Sequence, residues 1–189
     1  MKNKTPEQPR AVFTIGHSTR GLAEFTELLQ AHGVTTLADV RTIPRSRRNP
    51  QFNQETLPDA LRATGIGYVH LPGLGGLRHT RPDSPNLAWH NASFRGFADY
   101  MQTDEFVQHL NRLIALAKRE RIALMCAEAV PWRCHRSLIA DALTVRGIPV
   151  EHIMDKKHHH AHSLTPWARV NGTRVFYPAV GRLRAVTAF

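Results

Sequence analysis

Residues 122–147, I-A-L-M-C-A-E-A-V-P-W-R-C-H-R-S-L-I-A-D-A-L-T-V-R-G, contain the clearest signals for the fold. The stretch opens with the unbroken apolar run 122–127, which predicts a strand that is covered on both faces. A polar loop follows, and the apolar spacing then predicts a helix from about Cys134 to Arg146 that ends before Gly147. A buried strand joined to a helix in this way is typical of a parallel α/β sheet.

The same alternation extends outward from this stretch in both directions. Further short apolar or β-branched runs lie at 11–16, 35–40, 67–72 and 149–153, and helical patterns lie between the runs at about 22–32, 56–64, 93–101 and 103–117. We therefore expect one α/β domain with a mostly parallel sheet of about five strands and helices on both faces. The domain is predicted to span 11–155, between a disordered N-terminal segment (1–10) and a basic C-terminal tail or lid (156–189).

Length and composition exclude several classes of protein. The chain has 189 residues, which suits one ordinary domain with a proper core, and its 42% apolar and 21% charged residues are typical of globular proteins. No apolar run is long enough for a membrane helix, and the polar start M-K-N-K-T-P-E-Q-P-R does not resemble a signal peptide. Two cysteines cannot form a disulfide scaffold. We expect a cytoplasmic protein with no membrane association.

The charge is strongly basic. Lys and Arg total 25 against 15 acidic residues, for a formal net charge of +10, and 20 of the 25 bases are Arg. Arginine is suited to bidentate recognition of phosphate and carboxylate groups. The excess is concentrated in 41–48 and after Asp155, which predicts either a solvated surface and tail or a surface that faces an anionic partner such as a nucleotide or nucleic acid. The pattern does not indicate an oligomeric state.

Polar and ionisable residues follow the predicted strands. Ligands of an open parallel sheet bind outside the carboxyl ends of its strands, so these residues define the candidate site. The amides at the start of a helix can hold an anion there. The candidates for anion or substrate binding are Ser18, Arg20, Asp39, Arg41, Gly75, Gly76, Arg133 and Arg136, and the candidates for catalysis are His17, Glu128, Cys134 and His135.

Cys134 has four possible roles at this stage. It can be a nucleophile, because a helix start and nearby arginines lower a thiol pKa. It can ligate a metal with Cys126 and His135, although the Cys-x₇-Cys spacing lacks the tight knuckle of structural zinc sites. It can stand beside an anion site without reacting, or it can be a buried small residue. Glu128 can likewise act as a general acid or base, or only orient an arginine.

Four motifs together resemble a known prokaryotic family. They are T-I-G-H-S-T-R (14–20), D-V-R-x-x-P-x-S (39–46), L-G-G (74–76) and C-A-E-x-x-P-x-x-C-H-R (126–136), and H-I (152–153) also fits. The resemblance is to domain of unknown function 488 and covers about 12–155. It implies a compact α/β domain with a shared site at these motifs. It assigns no activity and no cofactor.

Three functions follow from the residues. The first is an enzyme that acts on a phosphorylated, nucleotide or nucleic-acid substrate, with the arginines holding the anion and Cys134 as the possible nucleophile. The second is a non-catalytic nucleic-acid-binding module that uses the basic loop 41–48, the tail, and Trp167 and Tyr177 for stacking. The third is a metal-binding or redox-sensing protein that uses Cys126, Cys134 and a neighbouring histidine. We expect no cofactor other than a metal in this third case.

Overall fold

The computed structural model describes residues 10–179, in which one six-stranded sheet is covered by five helices. The predicted segment 1–10 therefore lies outside the described residues except for Arg10, as do residues 180–189 of the predicted tail. The helices are α1 (Leu22–Ala31), α2 (Leu57–Arg62), α3 (Ala92–Tyr100), α4 (Asp104–Ala117) and α5 (Arg136–Thr144). The strands are β1 (Val12–Gly16), β2 (Thr36–Asp39), β3 (Gly67–His70), β4 (Ile122–Cys126), β5 (Val150–Ile153), β6 (His159–Ala161), β7 (Arg169–Asn171) and β8 (Arg174–Phe176).

The expected α/β architecture is confirmed. The strand order is β3-β2-β4-β1-β5-β6, and every pair is parallel except β5 with β6. β7 and β8 form a separate antiparallel pair. The sheet thus has one strand more than the five that hydrophobic runs predict, because β6 consists of exposed, largely polar residues. A run without apolar residues gives no signal of a buried strand.

Alternate residues of the central strands enter two separate cores. In β4, Ile122 and Leu124 pack with α3, α4 and α5, whereas Ala123 and Met125 pack with α1 and α2. This arrangement explains why β4 reads as an unbroken apolar run, since both of its faces are buried. The two cores place α1 and α5 on opposite sides of the sheet.

The described part of the C-terminal segment packs on the domain. β6 extends the sheet beside β5, with His152 opposite His160. Tyr177 is fully buried, and its backbone oxygen accepts from the Ala88 amide at 3.0 Å. Tyr177 therefore cannot be a surface for stacking bases, whereas Trp167 remains 37% exposed.

The start of α5 differs from the prediction by two residues, and the difference matters for the site. Pro131–Arg133 forms a 3-10 turn, and Cys134 is extended with φ −137° and ψ 144°. α5 then begins at Arg136. Proline favours the first position of such a turn because its φ is already set, so the chain turns once and extends again before the helix. Cys134 consequently precedes the helix rather than opening it.

Candidate active site

The candidate site lies at the carboxyl ends of β1 and β4. These neighbouring strands are followed by helices on opposite faces of the sheet. The loops are joined by backbone hydrogen bonds from His17 to the Cys126 oxygen (3.0 Å) and from Ser18 to the Ala127 oxygen (2.9 Å). Ser18 adopts a positive φ of 47° in the turn. The first motif thus holds in place the loop that supplies Cys126 and Cys134 to the site.

A cleft of about 360 Å³ opens at this edge. Its polar lining comes from Arg41, Cys126, Glu128, Arg133, Cys134 and His135, and Ile43, Leu77 and Phe94 contribute apolar walls. Glu128 and Arg133 are exposed, whereas both cysteines are buried. The sulfur atoms therefore lie at the floor of the cleft and the charged side chains lie nearer its mouth.

Cys126, Cys134 and His135 form a compact cluster, with their ligand-type atoms all within 4.8 Å of one another. The His135 ring places Nε2 3.2 Å from the Val40 carbonyl oxygen, which can only accept, so Nε2 carries a proton. Nδ1 faces the sulfurs, at 3.7 Å from Cys134 and 4.0 Å from Cys126. Gly76 makes room for this ring, because a Cβ there would lie 2.6 Å from Nδ1.

The two thiols differ in acidity. Hydrogen bonds from the Cys126 thiol and from His135, together with the positive charge of Arg136, hold the pKa of Cys134 well below its ordinary value near 9, although burial opposes them. The pKa of Cys126 is raised, by its hydrogen bond to Cys134 and then by burial. Cys134 is therefore the thiolate of the pair and Cys126 the thiol.

Arg136 supports the same assignment on geometric grounds. Its side chain is 1% exposed, and Nε donates to Cys134 Sγ at 3.3 Å. Its other contacts are neutral oxygens, the Glu128 carbonyl at 2.6 Å and Thr14 Oγ1 at 3.4 Å. Within residues 10–179, no carboxylate forms an ion pair with it. A buried guanidinium needs an anion, and the Cys134 thiolate is the one in contact.

Arg136 also begins a buried chain of hydrogen bonds, which we call the α5 relay (Arg136, Thr14, His152, His162 and Asp141). Thr14 Oγ1 lies 2.8 Å from His152 Nδ1, His152 Nε2 lies 3.0 Å from His162 Nδ1, and His162 Nε2 lies 2.8 Å from Asp141 Oδ1. Since Asp141 accepts and Arg136 donates, one direction of donation satisfies every link. The relay holds the guanidinium in place behind Cys134.

The sequence motifs identified only part of this relay. The motifs contain Thr14, Arg136 and His152, but no motif contains Asp141 or His162. One signal was present: Asp141 is an acid among the apolar residues of an otherwise inward-facing helix segment, A-D-A-L. A buried acid in that position needs partners, and its oxygens accept from His162, the Thr165 amide and Tyr177.

Asp39, Arg41 and His17 form a second buried group beside the cleft. Both carboxylate oxygens of Asp39 accept from Arg41, at 2.9 and 2.6 Å, and Tyr68 also donates to Asp39 at 2.9 Å. His17 stacks on Phe52 at 4.4 Å between ring centroids, and burial lowers its pKa to about 4. Arg41 is thus already neutralised, and His17 is not among the residues that line the cleft.

The remaining predicted residues fall into two groups. Arg20 pairs with Glu24 and donates to the Gly16 carbonyl, so it is engaged away from the cleft floor. Gly75 allows the close approach of the Thr42 side chain. Glu128, Arg133, Cys134 and His135 are brought together at the cleft. Arg133 forms no ion pair within the described range 10–179 and is the charged group most available to a ligand.

The Cys126–Cys134–His135 cluster has the donor set of a thiophilic metal site. The charges around it fit a metal-free thiolate better. Two thiolates and a divalent cation sum to zero, which leaves buried Arg136 without a counter-charge, whereas a single Cys134 thiolate neutralises it.

The fold, the cleft and the four motifs together agree with one family of proteins. The family described as "Domain of unknown function DUF488" matches residues 21–143, and the chain belongs to it. The matched range begins just after G-H-S-T-R and ends within α5, so it is shorter than the expected 12–155. No curated protein and no solved structure matches the chain. No helix in the described range is both long and apolar enough to cross a membrane.

Proposed function

We propose that the protein is an enzyme that binds a phosphate-containing substrate in the cleft and attacks it with the Cys134 thiolate. The observation that carries the proposal is a buried cysteine sulfur that contacts a buried guanidinium and lies on the floor of an open cleft. A thiolate held in this way is the nucleophile in many covalent mechanisms. The reaction class is hydrolysis or group transfer.

Three features support an anionic substrate. Arg133 is exposed on the cleft and unpaired within the described residues, and α5 begins two residues after Cys134, so its dipole favours negative charge near the sulfur. The chain as a whole carries a net charge of +10, which favours the approach of an anion. Arg41 and Arg136 are engaged by other groups, so they hold the site together rather than contact the substrate.

The chemical step uses groups that line the cleft. Cys134 Sγ forms a bond to phosphorus while the bond from phosphorus to the leaving oxygen breaks, and that oxygen takes up a proton. Water or a second substrate then displaces the sulfur and restores the thiolate. Among the described residues that line the cleft, only Glu128 carries a carboxyl group. Glu128 is therefore the candidate carrier of these protons. His135 and Arg136 stabilise the thiolate before attack and after release.

A direct test combines turnover with trapping of the intermediate. Purified protein is incubated with phosphate monoesters and nucleotides, quenched, and digested for mass spectrometry of the Cys134 peptide. We expect turnover, a phosphoryl adduct on Cys134, and loss of both in Cys134→Ser. Arg133→Ala should mainly raise KM. Absence of turnover together with the absence of a thermal shift for every phosphate compound contradicts the proposal.

A further inference from the structure

A second pocket lies on the other side of the turn that carries Arg133. It has a volume of about 460 Å³ and is lined by three tryptophans, Trp89, Trp132 and Trp167, with His160 and Ser163 among its polar groups. We call it the aromatic pocket. Its size and its mixture of apolar walls with a few polar atoms are typical of sites for small molecules.

The tryptophans are arranged as a partly open surface rather than as core. Trp132 is 63% exposed and Trp167 is 37% exposed. Trp89 packs edge-on against Trp167 at 5.4 Å between centroids and lies behind it. Large aromatic side chains left open to solvent beside a cavity favour a ligand with a flat apolar ring.

The aromatic pocket and the cleft share one short piece of chain. Pro131 and Trp132 line the pocket, whereas the next two residues, Arg133 and Cys134, line the cleft. A ligand that fills both must therefore combine a flat aromatic ring with an anionic group, because Trp132 and Arg133 are neighbours in the chain. Nucleotides have this combination, and stacking on aromatic side chains is how proteins hold bases with little preference among them.

We propose that the aromatic pocket holds the base of a nucleotide unit whose phosphate lies in the cleft. This inference rests on the proposed function, because it takes the substrate phosphate to lie beside Arg133. It narrows the substrate class from phosphate compounds in general to nucleotides, either free or within a single strand. Trp132 is a binding residue in this arrangement, and Arg133 links the two compartments.

The experiment compares ligands by equilibrium dialysis against the full chain. The probes are adenosine 5′-monophosphate, ribose 5-phosphate and adenosine. We expect the nucleotide to bind at least about five-fold more tightly than ribose 5-phosphate, since stacking of one base contributes at least that much. Trp132→Ala should remove this difference, and Trp132→Phe should keep most of it. Arg133→Ala should weaken both phosphate compounds and leave adenosine unchanged.

The outcomes separate the two proposals. Equal binding of the nucleotide and ribose 5-phosphate, or an unchanged ratio in Trp132→Ala, overturns the base site even if phosphate esters are turned over. Adenosine binding that depends on Trp132, without turnover of any phosphate ester, supports the base site and contradicts the proposed catalysis. A single-stranded oligonucleotide that binds in the same Trp132-dependent way, and more tightly than the mononucleotide, supports the base site and indicates that the bound base belongs to a nucleic-acid strand. Equal affinities of the oligonucleotide and the mononucleotide support the base site and indicate that the bound base belongs to a free nucleotide.

Discussion

Cys134 and Arg136 depend on each other for their charge states. The guanidinium is buried beside the sulfur at 3.3 Å, and no carboxylate within the described residues pairs with it. An isolated buried charge is costly, whereas a contacting pair of opposite charges offsets that cost. The residue types in C-H-R identify the participants, but the direction in which the Arg136 side chain points does not follow from the sequence, because an arginine in the first turn of a helix can point outward as easily as inward.

The charge state of Cys134 can be measured by its reactivity. An ordinary thiol with a pKa near 9 loses several hundred-fold of its thiolate between pH 9 and pH 6. We expect the alkylation rate of Cys134 by iodoacetamide to fall far less over this range, since its pKa is lowered. Mass spectrometry of the digested protein separates the Cys134 signal from that of Cys126. A rate that falls as steeply as that of a free thiol would show that Cys134 is neutral.

At the scale of elements, the loop after β4 determines the site. The alternation of apolar runs and helical patterns predicts β4 and α5, but it misses the 3-10 turn Pro131–Arg133 between them. That turn delays the helix to Arg136 and leaves Cys134 extended, which brings it beside Cys126 and His135. Periodicity detects elements that bury one face, and a three-residue turn with an exposed tryptophan has no such face.

The close approach of the L-G-G segment to this loop can be tested with two matched glycines. In Gly76→Ala the new Cβ would lie 2.6 Å from His135 Nδ1, so the ring must move away from the sulfurs. We expect a loss of about 1–3 kcal/mol in the free energy of unfolding and slower alkylation of Cys134 at pH 6. Urea unfolding and alkylation rates measure both effects.

Gly21→Ala is the control for this substitution. No heavy atom lies within 4 Å of its Cβ position, and its φ of −67° suits any residue. Its free energy of unfolding should stay within about 0.5 kcal/mol of the parent. If the two variants behave alike, His135 does not depend on the space at Gly76.

At the scale of the whole molecule, the two cores and the parallel sheet follow from sequence patterns, but the α5 relay does not. Its members come from β1, α5, β5 and the segment after β6, and the separation in sequence between hydrogen-bonded partners reaches 138 residues, between Thr14 and His152. Only the order of strands in the sheet places β1 next to β5 and so brings these residues together. Local patterns contain no information on that order.

Two buried neutral histidines predict that the folded molecule is sensitive to acid. Burial lowers the pKa values of His17 and His152 from 6.5 to about 4. Below pH 6.5 the unfolded chain therefore takes up protons that the folded chain does not, and stability falls until about pH 4. At pH 5 each histidine should lower the free energy of unfolding by about 2 kcal/mol. Urea unfolding at pH 7 and at pH 5 measures the combined effect of His17 and His152 on the free energy of unfolding. Equal stabilities at pH 7 and pH 5 contradict the prediction.

The aromatic pocket includes residues from a part of the chain that does not line the cleft. All the side chains that line the cleft lie within the family-matched range 21–143, whereas Trp167, His160 and Ser163 lie beyond it. The cleft and the Trp89–Trp132 side of the aromatic pocket thus lie in the range that the family shares, and the opposite wall of the pocket lies outside it. Exchanging residues 163–167 would therefore change this wall of the pocket and leave every residue that lines the cleft unchanged. Under the two proposals above, substrate preference can diverge among relatives through this wall while the cleft residues stay the same.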